Sequence, residues 1–175
     1  KASVDSGDQN IIAVNAILLQ LFTLFSYMND GFAYAAEALT GRFIGARDAA
    51  SLRRCIKLCL VWCFAVSFIF IGVYAIWWED IFTLLVDSSE NDPTALIAVA
   101  KEYIGWIIAI PLAAAMPFVM DGIMVGATRS RIMRNSMIGA SACYFILLYS
   151  SRGIIGNNAI WLAFTMYMHL RGVFQ

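Results

Sequence analysis

The sequence predicts an all-α integral membrane protein that crosses the bilayer five times. Three observations carry that expectation. The 175 residues are 61% hydrophobic and 14% charged, against about 45–50% and about 25% in soluble domains. Apolar runs recur at or near the roughly 20 residues that a helical span needs. None alternates as the strands of a barrel do, and helix is the default because lipid offers no partner for open backbone groups. Finally, Lys and Arg gather on one side of these runs. The same composition sets other classes aside. Twelve basic residues balance twelve acidic ones, so no positive excess exists to neutralise phosphates and no nucleic-acid partner is expected. Four cysteines are too few for a disulfide scaffold, and the apolar content is too high for disorder.

Residues 1–10 hold no apolar core of the signal-peptide kind. They are expected to be the tail of a truncated helix and an outer loop, and the sequence, which starts without Met, is read as a piece of a longer protein. The first span is expected from Ile11 to Gly41, the second from Ile56 to Trp77 and the third from Ala95 to Gly126. The fourth is expected from Ser136 to Tyr149 and the fifth from Ile154 to Leu170. Arg42, Arg47, Arg53, Arg54, Lys57, Arg129, Arg131, Arg134 and Arg171 follow spans one, three and five, nine basic residues against three (Lys1, Lys101, Arg152) at the opposite ends. The basic loops are therefore expected in the cytoplasm, with the N-terminus outside. Two further features agree. The loop between spans two and three is acidic, with Glu79, Asp80, Asp87, Glu90 and Asp92, and Trp77, Trp78, Tyr103 and Trp106 stand where an outer aromatic belt belongs.

Span one is more than an anchor. Gln20, Thr23, Tyr27, Asp30, Tyr34 and Glu37 follow at steps of 3, 4, 3, 4 and 3, which puts them on one helical face. Two carboxyls facing lipid cost roughly several kcal/mol. The stripe is therefore expected to face protein or a water-filled cavity, as a pathway for an ion or substrate or as a polar packing seam. Span three carries Asp121 together with Pro111 and Pro117. Each proline frees the carbonyl four residues back, at Ile107 and Ala113, and is expected to kink the helix. Met116, Met120 and Met124 recur every four residues beside Asp121, an adaptable face that suits either core packing or varied apolar guests. Gly41 with Gly45, and Gly122 with Gly126, have the spacing that lets helices approach closely.

Other conspicuous residues read blandly. Cys55, Cys59 and Cys63 share a face of span two without the further ligands a metal site needs, so they are expected to pack, and Cys143 stands alone. His169 is expected at the inner interface. No nucleophile–base–orienter set and no phosphate loop occurs, so no catalysis is expected.

The run Asn29-Asp30-Gly31-Phe32-Ala33-Tyr34-Ala35-Ala36-Glu37-Ala38-Leu39, leading into Gly41-Arg42-Phe43-Ile44-Gly45-Ala46-Arg47, resembles the eighth helix of multidrug and toxic compound extrusion (MATE) transporters of the DinF-like branch. The run Phe118-Val119-Met120-Asp121-Gly122-Ile123, continuing through Gly126-Ala127-Thr128-Arg129 to Met133-Arg134-Asn135-Ser136-Met137, resembles the tenth helix and the loop after it. The resemblance implies that residues 11–175 form most of one six-helix lobe, helices eight to twelve, and that an N-terminal lobe partners it. It implies alternating access to a central cavity in the plasma (inner) membrane, with cationic or amphiphilic compounds exported against protons or sodium ions and no other cofactor. Asp30, Glu37 and Asp121 would then couple the ion. Gln20, Tyr27, Tyr34, Met116, Met120 and Met124 would line the substrate path. A lipid-linked oligosaccharide flippase shares the wider architecture but calls for a basic cavity. A structural membrane subunit would need a partner for the acidic stripe, and no intramembrane Lys or Arg is expected to supply one.

Overall fold

The computed structural model describes residues 2–85 and 93–175. The described residues form helices α1 (Ala2–Gly45), α2 (Ala49–Leu85), α3 (Pro93–Ala100), α4 (Ile104–Gly126), α5 (Ser130–Ile155) and α6 (Asn158–Val173), with a 3₁₀ turn at Lys101–Tyr103 joining α3 to α4. Four stretches, Gln9–Gly45, Ala49–Leu85, Leu96–Gly126 and Ser130–Ile155, are long and apolar enough to cross a membrane. The chain is a multi-pass membrane protein.

Several boundaries differ from expectation. Residues 2–10 continue α1 rather than forming a loop, since no proline interrupts the chain before Pro93. The second span runs far past Trp77, but Trp77 itself leaves helical geometry (φ −110°, ψ 20°). The expected end of that span is therefore a kink within α2. Asp87, Glu90 and Asp92 of the acidic loop lie outside the described residues. The fourth span extends through Ser150–Arg152 to Ile155, because polar residues near a helix end do not by themselves stop it. Gly156, at φ +57°, makes the turn, a backbone region that costs glycine nothing. The fifth element consequently starts at Asn158, not Ile154, and its 16 residues rise only about 24 Å, short of a roughly 30 Å hydrocarbon core. It packs as a helix but falls short of the length of the other four.

α4 is the centre of the bundle, touching α1, α2 and α6, and α5 packs chiefly on α6. Lipid tails are as apolar as leucine, so close packing and interhelical hydrogen bonds, not water exclusion, hold such helices together. Both devices are visible. A β-carbon on Gly122 would collide with the Ala33 carbonyl, 2.8 Å from its carbon, and one on Gly126 would stand 3.0 Å from the Glu37 carbonyl carbon. The backbones of α1 and α4 meet there, running in the same direction. A β-carbon on Gly41 would stand 3.5 Å from the Gly126 oxygen, an ordinary contact, whereas one on Gly45 would meet open space. Away from this crossing, Val14, Leu18, Leu21, Tyr74, Phe82, Ile107 and Ile110 form one core cluster, and Tyr74 Oη donates to the Leu21 carbonyl at 2.9 Å. Cys55, Cys59 and Cys63 pack with Ala36, Ala115 and Val119 in a second cluster, all of them free thiols.

The turns after α1 and α4 are built alike. Arg47 N–H reaches the Ile44 carbonyl and Asp48 N–H that of Phe43, while Thr128 N–H reaches Val125 and Arg129 N–H reaches Met124. These are Schellman closures. The left-handed residue is Arg47 (φ 54°) in one and Thr128 (φ 57°) in the other, positions that normally favour glycine. Asp48 then caps α2, its Oδ1 accepting the Ser51 N–H at 3.0 Å. That hydrogen bonding, with the Ser51 hydroxyl as the largest cause, lowers the Asp48 carboxyl below the usual carboxylate range.

Candidate functional site

The polar stripe of α1 stays on one face, and that face turns away from the chain's own core. Val14, Leu18, Leu21, Phe25, Asn29, Ala36 and Thr40 point inward. On the other side Gln20 and Thr23 are exposed, Tyr27 is 70% exposed and Tyr34 71%. Asp30 and Glu37 are half-buried at its edge, and neither joins an ion pair among the described residues. The arrangement is an open polar strip, flanked by Leu24 and Met28, on a helix long and apolar enough to span a membrane.

Asp121 behaves differently. Its Oδ2 is paired with the Arg171 guanidinium of α6 through Nη2, and its Oδ1 accepts a hydrogen bond from Gln175 Nε2 at 2.7 Å. This corrects two expectations: that Arg171 follows the last helix as a loop residue, and that the chain holds no basic partner for its acids. α6 runs past Leu170 to Val173, so Arg171 is a helical residue facing α4. Asp121 and Arg171 side chains are only 17% and 16% exposed. Gly122, the neighbour of Asp121, touches Ala33 of α1, three residues from Asp30, so the two acids stand on the same stretch of the α1–α4 crossing.

The remaining expected site residues are divided. Met120 packs against the cysteine-lined cluster, and Met116 lies beside Gly172 of α6. All three methionines are half-buried. Pro111 and Pro117 are buried inside α4, which continues as helix through both. Gly172 sits on Pro117, with an added β-carbon falling 3.2 Å from its nitrogen. The nearest atom is the Pro117 Cδ at 3.0 Å, so it is the missing side chain of Gly172 that allows α6 so near.

Two polar junctions went unread in the sequence. Asn15 of α1 and Asn157 exchange amide hydrogen bonds at 2.9 and 3.0 Å, and Trp161 Nε1 donates to Asn15 Oδ1 at 2.8 Å. Trp106 Nε1 donates to Asn158 Oδ1 at 2.8 Å. Together they pin the start of α6 to α1 and α4. The second junction centres on Asn29, fully buried, which donates to the Phe25 carbonyl at 2.9 Å and lies 2.7 Å from the Cys63 sulfur through Oδ1. The signal was available: an amide inside an apolar span must find a partner.

The MatE family model matches residues 4–149. The chain is 37% identical over 164 residues to the DNA damage-inducible protein F of Escherichia coli (strain K12), an alignment covering 94% of this chain and 34% of that protein. It is 28% identical over 165 residues to Protein DETOXIFICATION 43 of Arabidopsis thaliana, covering 93% of this chain and 30% of that one. The chain thus spans about a third of the length of the curated relatives it matches. No solved structure matches it.

Proposed function

This chain belongs to the MatE family, and on that premise we propose that it is the C-terminal part of a secondary active multidrug antiporter. In this reading the complete protein exports cationic or amphiphilic compounds in exchange for protons or sodium ions by alternating access. It works by transport and not by catalysis. The observation that carries the reading is the α1 stripe: a membrane helix turns Gln20, Tyr27, Tyr34 and the carboxyls Asp30 and Glu37 away from its own bundle. Lipid disfavours such a face by several kcal/mol, so a water-filled cavity shared with an N-terminal lobe is its natural surrounding. Asp30, Glu37 and Asp121 supply the acids for ion exchange. The tyrosines, with Met120 and Met124, offer an aromatic and adaptable wall to an organic cation. The basic inner turns lie in the cytoplasm and the start of α1 outside, across the plasma membrane. The acidic character of the open face favours cation export over a flippase, whose cargo is anionic.

The test is transport by the complete protein in liposomes, following a fluorescent organic cation under an imposed proton or sodium gradient. One charge moving down 100 mV supplies about 2.3 kcal/mol, enough for a gradient of roughly 50-fold per charge. Gradient-driven efflux that Asp30→Asn and Glu37→Gln abolish is the expected result. Efflux that survives both substitutions would take the coupling role away from these two acids, and no driven efflux at all would refute the antiporter reading.

A further inference from the structure

We propose that Arg171 is the resident counter-cation of Asp121, held there by one guanidinium nitrogen and displaced when the coupling cation binds the carboxylate. The inference rests on the antiporter reading above and adds a residue to it. Arg171 on α6 pairs with Asp121. On α1, Asp30 stands within about one turn of Ala33, which Gly122 of α4 touches, and Glu37 is itself touched by Gly126. Arg171 is the one basic side chain paired with an acid among the described residues, so it competes with an incoming cation for the seat on Asp121.

The pairing is shaped to be exchangeable. An arginine that binds a carboxylate with both prongs gains a second parallel bond and fixed geometry. Here Nη2 alone makes the contact, and Arg171 Nε is buried with no hydrogen-bond partner among the described residues. Gln175 Oε1 is buried and unpartnered as well, while its Nε2 holds the other oxygen of Asp121. Asp121 is therefore gripped from one side by α6 and by Gln175 just beyond its end. The same end of α6 rests on Pro117 through Gly172. A cation arriving at Asp121 removes the charge that holds Arg171, so ion binding and the Arg171–Asp121 pair exclude each other. Arg171 is a positioning residue in this scheme: it touches neither cargo nor the gradient, and acts through Asp121.

The experiment measures the half-saturating proton or sodium concentration for driven efflux by the complete protein. An internal competitor that occupies Asp121 in nine molecules of ten weakens the apparent affinity about tenfold. Arg171→Gln should therefore lower the half-saturating concentration by about tenfold, Arg171→Lys, which keeps the charge, should stay near wild type, and Asp121→Asn with Arg171→Gln, which leaves the cation no carboxylate at this position, should raise it above wild type. A merely structural arginine would change the amount of protein in the membrane in both single variants and leave the half-saturation of the surviving protein unchanged. That outcome overturns the proposal. Should Arg171→Gln fail to accumulate, a half-saturating concentration raised in the double variant but unchanged in Arg171→Lys supports it, and a wild-type value in the double variant, or an equal rise in both, overturns it. Absence of driven efflux in the wild type would sink the antiporter reading itself, a result distinct from driven efflux that ignores Arg171.

Discussion

Removing the charge of Asp121 should damage the protein before it damages transport. Asp121→Asn keeps the shape of the side chain but leaves Arg171, whose side chain is 16% exposed, without its counter-charge. Breaking a buried pair by removing one partner costs about 3–5 kcal/mol. Because about a sixth of each side chain still reaches the surface, the lower end, about 3 kcal/mol, applies. That is roughly a hundredfold in the folded population. The double variant Asp121→Asn/Arg171→Gln places two neutral amide groups in the same space, and it should recover all but about 1 kcal/mol. Two readouts suffice: the amount of complete protein recovered from the membrane, and its melting temperature in detergent. The expected order is wild type, then the double variant close below it, then Asp121→Asn well below. An Asp121→Asn protein as abundant and as stable as wild type, with no improvement from the second substitution, would refute the reasoning. The order also bears on any efflux assay, because loss of transport by the single variant alone would report missing protein as readily as a missing coupling acid.

Three further outcomes follow from packing, hydrogen bonding and ionisation. Gly122→Ala pushes a β-carbon into the Ala33 carbonyl and should cost about 1–3 kcal/mol, while Gly45→Ala, with nothing within 4 Å, should leave the melting temperature unchanged; equal effects would remove the close α1–α4 crossing from the account. Asn15→Ala strips the partners of Asn157 and Trp161 and should cost about 2 kcal/mol at roughly 0.6–1.7 per interhelical bond, read as faster hydrogen exchange at the start of α6. The Asp48 carboxyl is lowered in the folded state by its Ser51 hydrogen bonds, so its cap stabilises α2 above the unfolded value of about 3.9 and is lost as pH falls through the folded one. Asp48→Ala should accordingly melt earlier than wild type at pH 6, with the difference closing toward pH 3; a constant difference would argue against an ionised cap.

Much of this was legible because bilayers constrain sequences strongly. The all-helical class and the exposed face of α1 follow from run length and from the steps between Gln20 and Glu37. The packing role of Cys55, Cys59 and Cys63 followed from the absence of other ligands. What escaped lies where elements end or meet. The end of α5 at Gly156 and the start of α6 at Asn158 depend on a left-handed turn that hydropathy cannot register. Arg171 was assigned to a loop by counting basic residues, although only its place on α6 brings it to Asp121. Asn15 and Asn157 are 142 residues apart, and no local period announces such a pair. The role of Gly122 and Gly126 was visible as spacing, but which helix they admit became clear only from Ala33 and Glu37.

The claim on which the account turns is that the α1 stripe meets water inside the membrane. Single cysteines at Thr23, Tyr27 and Tyr34 in the complete protein, reacted with a membrane-impermeant maleimide, test it directly. Val61 and Trp62 of α2, 54% and 61% exposed, serve as equally open positions on an apolar surface. The account predicts rapid labelling of the three stripe positions and little at Val61 and Trp62. Equal, slow labelling at all five would contradict it, leaving the stripe as a packing seam or a lipid-facing surface.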